Sequence, residues 1–260
     1  MKKLIILNQR IFDWEKKGEI QKNYLNQNNK FNKIIILSFI KNDKVSKRSL
    51  KILCGSATFE YKKVKSILLT NNYIRYFLPL FFYKILIEKE LKRLKLEKPT
   101  LIKAIGDGFI GYVSCVISNF YSCNVTISIH TFTSFKIFFK YYSFKEQIFF
   151  LLNLRFKNQS HKLANKILIV YKKISENINK KFLKKVELSY NQICISKKDE
   201  KFSQINKKTL CLVFVGRLIK GKSIFNVIKA IKKLQNVNLV IYGDGNERTK
   251  IISFKKKNNL

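Results

Sequence analysis

Apolar and polar positions in the C-terminal part of the chain follow the order of a strand, a helix and a second strand. One apolar run, Leu210 to Val215, ends at Gly216-Arg217, and another, Leu239 to Tyr242, ends at Gly243-Asp244-Gly245. Between them, apolar residues recur at helical spacing: Ile224, Val227, Ile228, Ile231 and Leu234. The pattern predicts a βαβ unit, in which a right-handed helical crossover joins two parallel strands.

A second βαβ pattern lies between Lys98 and Phe132. It comprises a predicted strand from Leu101 to Ile105, a Gly106-Asp107-Gly108 turn, a helix from about Ile110 to Phe120, and a strand from Val125 to Ile129 that ends in His130. The remaining predicted elements are strands at Leu4–Leu7, Ile34–Phe39, Leu50–Leu53 and Ile167–Val170, a helix between Gly18 and Leu25, and an amphipathic helix from Ile74 to Leu96 with Pro79 in its first turn. This alternation predicts a doubly wound α/β fold.

The composition adds a strong positive charge to this picture. The formal net charge is +37, from 53 Lys and Arg against 16 Asp and Glu, which at first favours a nucleic-acid-binding protein. Only seven of these cations are Arg, the preferred reader of bases and phosphates, and the Lys residues are scattered along the whole chain. We therefore do not expect nucleic acid as the partner. A surface this basic would still attract anionic lipid headgroups, by about 1 kcal/mol per nearby cation.

Neither a metal site nor a membrane span is predicted. The five Cys form no C-x-x-C pair, the two His stand at no zinc-binding spacing, and there is no Asp-x-Asp cluster. The N-terminal apolar run is too short for a secretion signal, and the later runs are shorter than the ~20 residues of a bilayer span. We therefore predict a cytoplasmic protein. Aromatic and Lys residues alternate in the Ile74–Leu96 helix, which suits peripheral contact with the inner membrane face or an ordinary core-facing helix.

The C-terminal βαβ unit resembles the second domain of the family-4 (group 1) retaining glycosyltransferases of the GT-B fold. That domain opens with a strand, Gly-Arg-Leu, a loop with Lys, a helix, a strand and Gly-x-Gly. Here Gly216-Arg217-Leu218 is followed by Lys222, five positions after the Arg, and later by Gly243-Asp244-Gly245. Lys220-Gly221 offers a Lys-Gly pair only three positions after the Arg, so the spacing favours Lys222. The alternative is a generic βαβ unit with solvated cations at its rim.

The Lys98–Phe132 segment resembles the first domain of the same family. The implied fold is GT-B-like α/β, with a doubly wound Rossmann-like N-terminal acceptor-side domain over 1–195 and a linker over 196–208. The first part of a second, sugar-nucleotide-binding Rossmann-like domain would occupy 209–260. The family places a Glu pair well beyond Gly-x-Gly, which a sequence ending at Leu260 lacks. We therefore expect a C-terminally truncated chain whose second domain is poorly stable and exposes an apolar sheet edge.

The resemblance implies transfer of a sugar from a nucleotide-sugar donor to a saccharide or lipid-linked acceptor, in synthesis of cell-envelope polysaccharide or lipopolysaccharide. Arg217 and Lys222, with Gly216, would clamp the donor diphosphate and stabilise its charge as it leaves, without a metal or other cofactor. Gly243 and Gly245 would let the backbone approach the donor.

Two first-domain residues have two interpretations each. The resemblance places His130 close to the reacting sugar, but it also suits a polar residue that ends a strand. Asp107 either holds an acceptor hydroxyl or forms the turn. Two other functions stay open for the whole chain: an inactive truncated remnant, and a basic protein that binds nucleic acid or a membrane surface. The sugar, the nucleotide, the acceptor and the oligomeric state do not follow from the sequence.

Overall fold

The computed structural model of the protein describes residues 1–7, 11–40, 44–71, 73–131, 139, 144–191 and 209–258. The chain divides into two compact units, Met1–Cys194 and Ile195–Leu260. The expected linker over 196–208 lies outside the described residues, so the domain limits stay a prediction.

The first unit is built on a seven-stranded parallel sheet. The strands are β1 (Lys3–Leu7), β2 (Lys33–Ser38), β3 (Thr58–Lys63), β4 (Leu101–Ile105), β5 (Asn124–Ile129), β6 (Lys166–Ile169) and β7 (Val186–Leu188). Their order is β3-β2-β1-β4-β5-β6-β7, and every pair is parallel. The order runs outward in both directions from β1 and β4, as in a doubly wound Rossmann-like sheet. The central strands β1 and β2 are nearly continuous apolar runs because both of their faces are buried.

Helices cover both faces of this sheet. They are α1 (Ile11–Lys16), α2 (Lys47–Cys54), α3 (Ile67–Thr70), α4 (Leu80–Leu94), α5 (Phe109–Tyr121) and α6 (Phe144–Leu163), with 3₁₀ turns at Gln27–Asn29, Ile74–Tyr76, Lys172–Asn177 and Lys180–Lys185. Helices α1 and α2 pack with Leu4 and Ile6 of β1, whereas α4, α5 and α6 pack with Ile5 and Leu7. The alternation of side chains along β1 therefore divides the core into two layers. Among the described helices, none combines the length and the apolar character that a bilayer crossing requires.

Two predicted elements before Lys98 are wrong. Leu50–Leu53, predicted as a strand, is part of α2, which Ser46 caps by accepting a hydrogen bond from Ser49 N at 3.1 Å. Its buried residues Leu50, Leu53 and Cys54 stand at helical spacing, which a four-residue window does not reveal. The third strand is Thr58–Lys63 instead. The helix predicted between Gly18 and Leu25 is a series of turns, and the helix of this region is α1.

The second unit contains the predicted βαβ arrangement. It consists of β8 (Leu210–Val215), a 3₁₀ turn (Lys220–Lys222), α7 (Ile224–Ile231), β9 (Val237–Tyr242) and α8 (Arg248–Lys257), with β8 and β9 parallel. Leu218, Ile224, Ile228 and Ile251 form its small core. Helix α7 ends before Leu234, which is exposed. Val213 and Val215 of β8 are 59% and 77% exposed, so one face of the sheet of this unit leaves apolar side chains uncovered. The expected apolar sheet edge stays a prediction.

Candidate functional site

A doubly wound sheet binds ligands at the carboxyl ends of the strands where the order reverses, and in the first unit these strands are β1 and β4. At this edge β4 leads through Gly106-Asp107-Gly108 into the start of α5. Gly106 has a φ of 119°, a conformation that residues with a side chain rarely adopt. A Cβ atom on Gly108 would overlap the side-chain amide of Asn153, whose Oδ1 accepts a hydrogen bond from Phe109 N at 3.2 Å. Close contact with α6 therefore holds the turn in place.

Asp107 is bound to α6 by both its side chain and its backbone. Its Oδ2 lies 3.1 Å from Nε2 of His161, which is 2% exposed, and 3.7 Å from Nζ of Lys157. Its carbonyl oxygen accepts a hydrogen bond from Ser160 Oγ at 2.5 Å. Burial alone would raise the pKa of Asp107, but the His161 hydrogen bond and the Lys157 charge outweigh burial and hold the pKa below its usual range. The carboxylate thus anchors the turn.

Asp107 also lines a cavity of about 170 Å³, together with Thr131, Asn153 and Lys157. This volume is below the range of about 300–1,000 Å³ typical of ligand pockets. The contact of Asp107 with an acceptor hydroxyl stays a prediction. A larger cavity, of about 930 Å³, lies at the opposite edge of the sheet, because its lining residues Thr100, Asn124 and Asn165 stand at the starts of β4, β5 and β6.

Replacing Asp107 by Asn should destabilise the protein by about 2 kcal/mol at pH 7, because the charged hydrogen bond to His161 is lost. The folded pKa is lowered, so this stabilisation is present above the unfolded pKa of about 4 and is lost as the pH falls through the folded value. Urea unfolding curves of the wild type and Asp107→Asn should therefore converge once the pH lies below the folded pKa of Asp107. The exposed Glu176→Gln control should shift stability by less than about 0.5 kcal/mol. Equal stability of Asp107→Asn and wild type at pH 7 would contradict the anchoring role.

His130 follows β5 at the same edge, one strand away from the Gly106-Asp107-Gly108 turn. Its Nε2 lies 2.9 Å from Ser128 Oγ. Burial lowers the pKa of His130 and the nearby charge of Lys103 lowers it further, against a hydrogen bond with Asn191 that raises it. The imidazole is therefore neutral at neutral pH. The sequence reasoning missed Lys103 and Ser128, although polar residues inside two central strands were the signal.

In the second unit, the two Gly turns contact each other through their backbones. Gly216 N donates to Tyr242 O at 3.0 Å, and Leu218 N donates to Asp244 O at 2.9 Å. A Cβ atom on Gly243 would overlap the carbonyl oxygen of Gly216, and one on Gly245 would overlap that of Leu218. These glycines therefore have a packing role that the sequence reasoning missed. Their contact with a donor stays a prediction.

Arg217 and Lys222 lie in the loop that follows β8 at the carboxyl edge of this sheet. Both side chains are exposed, and no hydrogen bond or ion pair joins either one to another residue in the described part of the chain. Lys222 ends the 3₁₀ turn just before α7, whose first backbone N–H groups also point toward this edge. Unpaired cations beside a helix start suit an anionic phosphate group.

The cysteines and the acidic residues do not form a metal site in the described ranges. No group of three His, Cys, Asp or Glu side chains there could hold a metal ion. Burial raises the pKa of both Cys54 and Cys115 to about 12. These two thiols therefore stay protonated and behave as small apolar residues.

Comparisons with known proteins agree with this architecture. Residues 196–260 match the family model of glycosyl transferases group 1. The fold is similar to the S. aureus MnaA–UDP co-structure, with a TM-score of 0.52 and 12% identity over 98% of this chain and 65% of that chain. It is also similar to Phytolacca americana UGT2 complexed with UDP-2fluoro-glucose and pterostilbene, with a TM-score of 0.50 and 8% identity over 93% of this chain and 71% of that chain. No curated protein sequence matches the chain.

Because the identities are so low, the likeness to these two structures shows only the fold. The chain spans about 65% of the length of the MnaA structure. The chain has a GT-B-like α/β fold built from Rossmann-like units. This follows from its doubly wound parallel sheet, its second βαβ unit and these two similarities. The C-terminal segment, 196–260, is the part of the chain that carries the similarity to glycosyl transferases group 1.

Proposed function

We propose that the chain binds a nucleotide sugar and belongs to a retaining glycosyltransferase that moves the sugar to a saccharide or lipid-linked acceptor. The observation that carries this proposal is the pair Arg217 and Lys222, two exposed cations whose side chains have no partner among the described residues. Their loop is held in place by the backbone contacts of Gly243 and Gly245. The loop lies in the segment that matches glycosyl transferases group 1. UDP and UDP-2fluoro-glucose in the two similar structures support this ligand class.

The chemistry of glycosyl transfer suits these two side chains. A diphosphate leaves with increasing negative charge, so fixed cations stabilise the transition state more than the bound donor and raise the rate. Arg217 offers a planar fork for two phosphate oxygens, and Lys222 offers a mobile point charge. In this proposal His130, held neutral by burial and Lys103, lies beside the reacting sugar.

The position of α4 supports a cell-envelope acceptor at an anionic membrane surface. Tyr83 and Ile87 of α4 are buried in the core, whereas Phe81 and Ile85 on its other side are exposed, as is Phe77 before it. An apolar surface interspersed with lysines such as Lys84 is typical of a segment that lies on a membrane. The buried face is that of a core-facing helix, and the exposed face suits peripheral contact with a membrane. We include peripheral membrane contact in the proposal.

Calorimetric titration of the chain with nucleoside diphosphates and their sugars tests the proposal. We expect at least one nucleotide sugar to bind with a Kd below about 1 mM. EDTA should leave this Kd unchanged, because the chain's own cations hold the diphosphate. Binding is the readout because the chain spans only part of the length of the MnaA structure. Absence of binding throughout the series would reject the proposal, and loss of binding on chelation would reject its metal-independent form.

A further inference from the structure

Two arginines of the first unit, Arg75 and Arg155, have no acidic partner among the residues that the structure describes. Arg75 is 5% exposed, and its Nε and Nη1 atoms are buried without a hydrogen-bond partner. The Nε of Arg155 in α6 is also buried and unpaired, while its Nη2 donates to the carbonyl oxygen of Tyr76 at 2.5 Å. Neither guanidinium takes part in any ion pair within the described ranges.

Both guanidiniums flank the same group of aromatic rings. The Arg75 guanidinium carbon lies 4.6 Å from the centre of the Phe109 ring, and that of Arg155 lies 4.7 Å from the centre of the Phe156 ring. These two rings pack edge to face, with their centres 5.6 Å apart, and Tyr83 contacts both of them. We call Arg75, Tyr83, Phe109, Arg155 and Phe156 the arginine cluster.

The positive charges of both arginines act on the buried hydroxyl of Tyr83. It is buried and has no hydrogen-bond partner of normal geometry. Burial raises the pKa of Tyr83 to about 12, while the positive charges of Arg155 and Arg75 oppose that rise. Both guanidiniums therefore act on the same hydroxyl. The cluster offers several hydrogen-bond donors, and none of its five side chains is a negatively charged acceptor.

Such a cluster is costly in the empty protein. A buried cation without a counterion is strongly unfavourable, and stacking on aromatic rings offsets only a small part of that cost. An anion that accepted the free N–H and O–H groups would supply the missing charge. Because acidic side chains are not among the cluster's described partners, the anion is expected to come from a ligand.

The cluster also lies where a doubly wound sheet binds ligands. Phe109 is the first residue of α5 and directly follows the Gly106-Asp107-Gly108 turn at the carboxyl edge of the sheet. Phe39, which follows β2 at the same edge, packs against Phe109 with the ring centres 5.9 Å apart. The exposed aromatic residues Tyr73 and Phe77 stand two positions on either side of Arg75 in the chain.

We propose that the arginine cluster binds a phosphate group of the acceptor, with the guanidiniums of Arg75 and Arg155 and the hydroxyl of Tyr83 as its donors. The phosphate belongs to a soluble sugar phosphate or to a lipid-linked acceptor, whose chain would lie along the exposed aromatic residues. The assignment of the phosphate to an acceptor rests on the proposed function, but the binding of phosphate does not. Failure of the donor titration would therefore reject the proposed function, and failure of the phosphate titration would reject only the phosphate site.

The test uses the full chain, with inorganic phosphate and octyl phosphate below its micelle concentration as probes, at ionic strength matched with NaCl. Both should bind the wild type at one site, with a Kd for inorganic phosphate below about 10 mM. An octyl phosphate Kd at least about tenfold lower identifies a lipid-linked source, and equal values identify a soluble one. Arg75→Met should weaken both at least about tenfold, while the Tm without phosphate stays equal or rises, because an uncompensated buried charge is removed.

The exposed Arg48→Met control should keep wild-type phosphate affinity and melting temperature. Arg155→Met supplies a second variant if Arg75→Met does not fold, and it should also weaken phosphate binding at least about tenfold. Lack of phosphate binding to the wild type, or equal binding to wild type and the folded variants, would overturn the proposal. Donor affinity should be the same in Arg75→Met and wild type, because the donor cations lie in the other unit.

Discussion

Arg217→Ala combined with Lys222→Ala should weaken nucleotide-sugar binding by about a hundredfold or more. Each cation is expected to make charge-assisted hydrogen bonds to the diphosphate, and loss of one such bond typically weakens binding about tenfold to a hundredfold. Arg217→Lys should recover only part of the affinity, because an ammonium does not replace a planar fork that holds two oxygens. Calorimetry with the nucleotide sugar that binds the wild type measures these differences.

Matched controls separate the loop from the general basic surface. Arg48→Ala with Lys233→Ala removes the same charge from two exposed positions outside the loop, and it should change donor affinity by less than about threefold. Neither the Arg217 nor the Lys222 side chain has a partner in the described residues, so truncating them leaves no unpaired group and the fold should persist. If the control pair weakened binding as much as the loop pair, the long-range charge of the chain would account for binding and the clamp would be wrong.

Gly243→Ala should disrupt the second unit by about 3 kcal/mol or more. The added Cβ would overlap the carbonyl oxygen of Gly216, so the hydrogen bonds from Gly216 N to Tyr242 O and from Leu218 N to Asp244 O would have to give way. A sheet of two strands with a small core has little stability to lose. Hydrogen exchange should therefore show loss of protection in β8 and β9, with protection in the first unit unchanged.

Gly221→Ala is the matched control for this glycine. Nothing lies within 4 Å of a Cβ placed on Gly221, so protection of the second unit should equal that of the wild type. Equal protection of Gly243→Ala and wild type would show that the two turns do not need their close approach. The donor affinity of Gly243→Ala should fall as well, because the loop that carries Arg217 and Lys222 loses its support.

The sequence predicted the elements that are marked by residues close together in the chain, such as an apolar run next to a glycine turn. The strands β4, β5, β8 and β9 are apolar runs followed by Gly turns or His130, and the structure places them within two residues of their predicted bounds. Arg217 could be placed at the sheet edge because only Gly216 separates it from a predicted strand. Lys222 could be placed there because it lies in the loop between that strand and the next predicted helix. Short elements such as Leu50–Leu53 could not be assigned, because a four-residue segment with three apolar residues suits either a strand or one turn of a helix.

The contacts at the carboxyl edge of the first unit's sheet could not be predicted from the sequence. Asp107 and His161 are 54 positions apart, and Arg155 and Tyr76 are 79 apart, so no local pattern connects them. The packing role of Gly243 and Gly245 could not be predicted for the same reason. It depends on contact with Gly216 and Leu218, which are separated from these glycines along the chain by a helix and a strand. Periodicity predicts elements, whereas these contacts depend on how the elements pack.

A crystal structure of the chain with a bound nucleoside diphosphate tests the central claim most directly. We predict that the diphosphate oxygens lie within hydrogen-bond distance, about 2.7–3.2 Å, of the Arg217 guanidinium and the Lys222 ammonium. A diphosphate bound elsewhere on the protein, with both side chains in solvent, would contradict the assignment of these residues to the donor site.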